Sequence, residues 1–527
     1  MTAALLALLI LPAAGALLSA ALPARADRLG RILGTAVAAL TFLASIVLLF
    51  RRAPAGPGSA DGPPVVTPWH EYDVSWVPSL DLRFHLGVDG VSWPLIALTA
   101  LLTLLCCGYT VWRVPVPGAD RPGVDPGGPA EEKVGADPGP RGRYLVSLLL
   151  VVEVGIIGVF LSLDLVLFFL FFEVVLLPMY AVIAVWGGER RRDAARKFVL
   201  YTLLGSVLLL VGVFVVVAAA GSADIVTLSQ RGGADLGHGT QLVAFVLLAL
   251  AFAVKSPLWP LHSWLPDAHT EAPTVGSVVL AGVLLKLGTY GMLRVAVGLL
   301  PYGARSVAPV LGVLATAAIL AGGLICLRQT ELKRLIAYSS VGHMGFVLLG
   351  IATLTSTGFQ AALIGNIAHG LLTGLLFFLA GAVKDRTHTG ELAGLGGLRE
   401  VSPALSGLLA FAAIGSLGLP GLAGFWGELF AVYAAFLRGG VLWLVLGVLA
   451  ALGAVLAAAY LLRMLRKVTH GPASGPVAGL APTGLAAVEL VSWGPLVLLA
   501  VAIGLVPSLV LALSAGPVQA LTRVILR

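Results

Sequence analysis

Six ionisable residues, Glu173, Lys255, Lys286, His343, His369 and Glu428, stand near the middles of long apolar stretches. Lysine is otherwise scarce, with seven Lys against 26 Arg in the chain. Arg keeps its proton at physiological pH, whereas a buried ammonium can be drawn into a range where it titrates. A charge at the depth of a bilayer core costs roughly 2.5–3.5 kcal/mol even on lenient insertion scales. Groups that release and regain protons, kept at that cost, point to the movement of protons or other ions. Glu153 and Lys333 are weaker candidates of the same type. Each is as easily read as a packing or end-of-helix residue.

The elements that must position these groups follow from composition. The 527 residues are 58% hydrophobic and 11% charged, which describes an integral membrane protein and no soluble domain. The apolar blocks run close to the ~20 residues a helix needs to cross a ~30 Å hydrocarbon core. The ~10-residue alternating segments of a membrane barrel are absent. The pattern predicts an all-α polytopic protein of about 14 transmembrane helices. The first block, 3–22, has no basic stretch before it and reads as a retained helix. The net charge of +7 reads as topology and not as a nucleic-acid surface. Lys and Arg on one set of alternate connections outnumber those on the other more than two to one, with Arg25, Arg28, Arg31, Arg141, Arg143 and Lys384 on the rich side. The positive-inside rule makes that side cytoplasmic and puts both termini outside.

Two apolar blocks are interrupted. The seventh, 241–264, contains Lys255-Ser-Pro257-Leu-Trp-Pro260, and the twelfth, 403–437, contains Leu417-Gly-Leu-Pro420-Gly421. Proline removes a backbone donor and clashes with the preceding turn, so both helices are expected to break. Each is the fourth member of a five-span unit, 144–299 and 306–466. A tandem repeat of odd span number is inverted in the membrane, and paired broken helices in inverted repeats point to an ion site at the repeat interface. Around these units the chain divides into three N-terminal helices in 1–112, a flexible cytoplasmic loop at 113–143 rich in Pro, Gly and Asp, and a C-terminal helix in 487–527. The six titratable groups share one depth. They form a row along the midplane, not a path straight across. A lone intramembrane His is more often a core residue than a relay, but six groups so arranged are hard to explain by structure alone.

Other chemistry fares worse. His262, Asp267, His269 and Glu271 in HSWLPDAHTEAP lack helical His spacing or a cysteine set, so no metal site is expected and capping or a cytoplasmic funnel is the better reading. Cys106, Cys107 and Cys326 lie in apolar blocks and read as packing residues. No Gly-rich strand-to-helix loop suggests a nucleotide, and nothing resembles haem or iron–sulfur ligation.

The strings FHLGVDGVSWPL (84–95), LFFLFFEVVLLPMY (167–180), AVKSPLWPLHSWLPDAHTEAPT (253–274), KRLIAYSSVGHMGF (333–346), IAHGLLTGLLFF (367–378) and GLPGLAGFWGE (418–428) resemble the antiporter-like membrane subunits of proton-translocating NADH:quinone oxidoreductase, respiratory complex I. The resemblance implies two inverted five-helix repeats. It implies that Glu173 pairs with the broken-helix Lys255, that Lys286 connects the halves, that His343 and His369 continue the axis, and that Glu428 ends it. An acid at Glu428 resembles the subunit M (chain 4) branch, whereas subunits L, N and sodium/proton antiporter subunits generally carry Lys there. By the same resemblance this chain binds no cofactor, and NADH, FMN, iron–sulfur clusters and quinone belong to partner subunits, with subunits L and N as membrane neighbours. A subunit of a multisubunit sodium/proton antiporter, or of a hydrogenase- or ferredoxin-linked complex, is the alternative.

Overall fold

The computed structural model describes residues 2–50, 65–78, 82–115, 142–482 and 484–526. The loop expected at 113–143 therefore lies, from 116 to 141, outside the described residues, and Arg141 with it. Among the described residues, fourteen helices are long and apolar enough to cross a membrane. The first three are α1 (Thr2–Ala21), α2 (Asp27–Val47) and α3 (Trp93–Trp112). Between α2 and α3 the extramembrane segment holds an antiparallel hairpin that composition did not announce, β1 (His70–Val77) and β2 (Leu82–Val88), with His70 opposite Val88.

The first five-helix unit comprises α4 (Gly142–Leu161), α5 (Leu165–Trp186), α6 (Arg191–Ala220), the short α7 (Ile225–Arg231), α8 (His238–Lys255) continued by α9 (Trp264–Glu271), and α10 (Thr274–Val297). α5 is interrupted at Val175. Pro178 has no N–H to give the Val174 carbonyl four residues back, which explains the break. α8 stops at Lys255, and the eight residues before α9 carry Pro257 and Pro260. The break thus begins at the lysine itself. The second unit comprises α11 (Pro301–Arg328), α12 (Leu332–Ala352), α13 (Ser356–Thr387), the broken pair α14 (Pro403–Ser416) and α15 (Ala423–Arg438), and α16 (Val441–Thr469). In this break Gly418 and Gly421 take φ of +82° and +92°, a region open to glycine at little cost.

The inversion has a visible signature. Asp164, between α4 and α5, bridges to Asp224 and caps α5 by accepting from the Val166 and Leu167 N–H groups. Glu331, between α11 and α12, bridges to Glu391 and caps α12 through the Arg334 N–H. The same device recurs at equivalent places in the two units, at opposite ends of the bundle.

The stretch expected as one C-terminal span, 487–515, is two helices, α17 (Ala487–Leu505) and α18 (Ser508–Leu526). Pro507 follows the end of the first, and Val506 before it has left the helical region at φ −130° and ψ 72°. α18 lies across the hairpin face. Ser514 donates to Gln360 at the start of α13, and Arg305 at the start of α11 donates to the Ile525 carbonyl.

The core sits on α10 and α13. From Val275 onward α10 is buried throughout. It contains two π-helical stretches, Leu280–Leu284 and Met292–Val297, on either side of the α-helical turn Lys286–Gly291. Such bulges displace backbone carbonyls from the regular ladder and are frequent at functional sites. α10 and α13 approach closely at Gly282 and Gly370, where a Cβ on Gly370 would stand 2.8 Å from the Gly282 carbonyl. That contact brings Lys286, one turn on, against α13.

Candidate functional site

The Lys286 side chain is fully buried. Its ammonium donates to the Ala281 carbonyl at 2.5 Å, an oxygen of the first π-helical stretch, and lies 2.7 Å from His369 Nδ1. The His369 and His343 rings are 6.0 Å apart at 63°. His343 Nδ1 lies 2.9 Å from Glu428 Oε1, and its Nε2 lies 3.5 Å from the Tyr460 hydroxyl. α15 reaches α13 because Gly427 faces Gly365, where a Cβ would come within 2.7 Å of the Gly365 Cα. A cavity of about 30 Å³ between His369, His343, Ser416 and Glu428 has room for about one water molecule. The buried His369 Nε2 and Ser416 Oγ have no hydrogen-bond partner. Four of the six residues are therefore consecutive, in the order Lys286, His369, His343, Glu428.

The other two stand differently from expectation. Glu173 and Lys255 make no ion pair within 4.0 Å, and the buried Glu173 Oε1 has no partner. The Lys255 ammonium instead lies 4.7 Å from the ring centroid of Phe172. The face of an aromatic ring attracts a cation, and the negative end of α8 sits at the same residue. Both favour the ammonium where it lies. Lys255 and Lys286 are on abutting segments, because a Cβ on Gly288 would meet the Ser256 hydroxyl at 2.2 Å. Ser256 Oγ is itself buried without a partner beside both lysines.

Glu153 on α4 is fully buried, with both oxygens unpartnered. Lys333 is not in the row. It lies in the first turn of α12, ten residues or about 15 Å of helix rise from His343, and donates to the Ala272 carbonyl. The residues of HSWLPDAHTEAP disperse. Asp267 pairs with Lys197 and Arg334, Glu271 pairs with Arg190, and the buried His269 stacks 4.5 Å from Phe377. Sequence reasoning missed Tyr460, Ser416 and Ser256. Their only signal is a polar atom inside an apolar block.

A second polar cluster lies at the hairpin face. His85 is buried, with Nδ1 2.6 Å from Asp224 Oδ2 and Nε2 2.5 Å from Glu71 Oε1. Burial alone draws the imidazole down. The hydrogen bonds to Asp224 and Glu71, with attraction from Asp224 and Asp73, outweigh it and hold His85 above its ordinary 6.5. Burial pushes the Asp164 carboxyl up, against the Leu167, Arg83 and Val166 N–H groups that favour its charge.

The transmembrane family described as NADH:quinone oxidoreductase/Mrp antiporter matches residues 162–453. NADH-quinone oxidoreductase subunit M of Rhodobacter capsulatus is 38% identical over 501 residues, covering 92% of this chain and 89% of that protein. A chain of respiratory complex I from Thermus thermophilus superposes with a TM-score of 0.83 at 29% identity, covering 99% of both chains. A chain of the Mrp complex from Dietzia sp. shares the fold, with a TM-score of 0.80 at 23% identity over 98% of this chain and 52% of that one. The chain belongs to the NADH:quinone oxidoreductase/Mrp antiporter family of membrane subunits, as a member of the subunit M type.

Proposed function

We propose that this chain moves protons across the membrane along the row Glu173, Lys255, Lys286, His369, His343 and Glu428, driven by electron transfer in partner subunits. The observation that carries the reading is the run of close contacts from Lys286 through His369 and His343 to Glu428. Two positive charges 2.7 Å apart repel by about 6 kcal/mol at an effective dielectric near 20. Lys286 and His369 therefore share one proton instead of holding two. Arrival of a proton at Lys286 drives one onward, across the water-sized cavity to His343 and Glu428.

Glu173 and Lys255 act as the gate. They stand open in this structure. Closure to about 4 Å would favour the charged lysine by roughly 4 kcal/mol, against about 2.3 kcal/mol for one charge crossing 100 mV. Making and breaking this pair is large enough to load and unload the relay against a membrane potential. NADH, FMN, iron–sulfur clusters and quinone sit in partner subunits, with subunits L and N as neighbours in a bacterial cell membrane. The hairpin and α18 lie on the outer face with both termini.

The test is Lys286→Ala in the assembled complex, with quinone reduction and proton uptake measured in the same vesicles. The expected result is fewer protons per electron. Unchanged stoichiometry at full assembly rejects the relay. Replacing sodium by potassium leaves the stoichiometry intact if protons are the cargo.

A further inference from the structure

Lys286 has two polar ways out. One is lateral, to His369. The other runs along its own helix toward the hairpin face, where Tyr290 and Arg294 follow at intervals of one turn. Eight residues of α10 span about 12 Å, so the second way is short. Arg294 is buried, and its Nη2 donates to Asp89 Oδ2 at 2.5 Å. Its Nε donates to the Tyr290 hydroxyl at 3.3 Å, and that hydroxyl donates to the Phe160 carbonyl, also at 3.3 Å. Asp89 is fixed from below, accepting on Oδ1 from the Val91 and Ser92 N–H groups at the start of α3.

The directions of these bonds decide what they can carry. A proton hops along a chain when each group accepts on one side and donates on the other. Tyr290 spends its proton on a backbone carbonyl, which has none to pass on, and accepts from a guanidinium. Arg294 has five donors and no acceptor and keeps its proton at any physiological pH. The chain is polar yet cannot relay. The fixed cation also opposes entry of a second positive charge, as an Arg does in pores that exclude protons. Asp89 neutralises the pair enough to keep it buried.

We propose that Asp89, Arg294 and Tyr290 form a seal between Lys286 and the hairpin face, keeping the proton on the lateral path. This rests on the reading of Lys286 as a relay station. The three are positioning residues, since none accepts the travelling proton.

The test uses the whole complex in proteoliposomes with the double substitution Asp89→Asn and Arg294→Gln, which removes both charges together, keeps the shape of Asp89 and leaves a shorter polar side chain at 294. Passive proton entry is followed with an internal pH dye under a potassium diffusion potential, without NADH. The expected result is a proton leak above that of the unsubstituted complex, with NADH-to-quinone electron transfer retained. Arg294→Lys, which keeps the charge and the pair, is sealed at neutral pH and leaks as pH rises, because a buried ammonium can lose its proton. An assembled double variant no leakier than the original overturns the seal. So does a pH-independent Arg294→Lys variant, should the double variant fail to assemble. Introducing Lys286→Ala separates the two readings. A leak that persists without Lys286 means that the seal guards some other path, whereas normal pumping by Lys286→Ala alone rejects the relay and leaves the leak result standing.

Discussion

Glu428→Gln isolates charge from shape at the end of the row. Glutamine keeps an oxygen that can accept from His343 Nδ1 and removes the negative charge 2.9 Å away. At an effective dielectric near 20 that charge attracts a unit positive charge 2.9 Å away by about 6 kcal/mol. Water in the adjoining cavity of about 30 Å³ screens the pair, and doubling the dielectric leaves about 3 kcal/mol. Either figure exceeds the roughly 2.3 kcal/mol that 100 mV exerts on one charge. The variant should therefore stall proton passage through this chain, by about two to four orders of magnitude at 1.36 kcal/mol per decade. Glu428→Asp withdraws the carboxylate by about 1.5 Å and loses roughly 2 kcal/mol of the larger figure, so it should pump at an intermediate rate. NADH-driven proton uptake and quinone reduction, recorded together in vesicles with assembly checked by copurification, give the protons moved per electron. The ratio should fall in the Gln variant, while electron transfer recovers once an uncoupler collapses the gradient. A Gln variant with the original ratio at full assembly refutes the electrostatic reasoning.

Further outcomes follow from other contacts. His369→Leu should lower the ratio as Lys286→Ala does, and combining the two should add nothing, because both cut the same 2.7 Å link; additive losses would place them on separate paths. Phe172→Leu removes the ring under the Lys255 ammonium, a contact worth up to about 2 kcal/mol when desolvated, and should favour closure onto Glu173; a crosslink between cysteines placed beside the pair should form faster, and an unchanged rate counts against the gate. Asp89→Ala alone leaves the Arg294 charge buried and unpaired, a cost of about 3–5 kcal/mol, and should lower the melting temperature of the complex far more than the paired substitution does. At the hairpin, His85 has only carboxylates beside both ring nitrogens, so both bonds form only with the imidazolium. Its folded value lies above 6.5, so its stabilisation is complete below pH 6.5 and is lost as pH rises through the raised value. Amide exchange in β2, corrected for intrinsic rates, should accelerate on that rise, and His85→Gln should abolish the dependence.

Much of the site was legible in the chain because membranes restrict what sequences can do. An apolar block of fixed length sets depth, so Lys255, Lys286, His343, His369 and Glu428 were seen at one level, and Pro257, Pro260 and Pro420 marked the breaks. The C-terminal stretch was misjudged at Pro507, where one block of apolar residues hid two helices. The hairpin at His70–Val88 went unseen because its alternation is short and set within a polar connection. The repeated caps at Asp164 and Glu331 were equally hidden, since each is one acid among many at a helix start.

Composition and periodicity alone determined most of the membrane helices and the two interruptions at Pro257–Pro260 and Pro420, because hydrocarbon leaves a backbone few alternatives to a helix. Lateral order was beyond their reach. Depth says nothing about which helix stands beside which. Only the packing placed His369 between Lys286 and His343, reversing their order in the chain, through the close approach of Gly282 to Gly370. Only packing left Glu173 and Lys255 unpaired, with the ammonium over the ring of Phe172, and only packing set Arg294 against Asp89, 205 residues away. Those contacts depend on the fit of side chains between helices far apart in sequence.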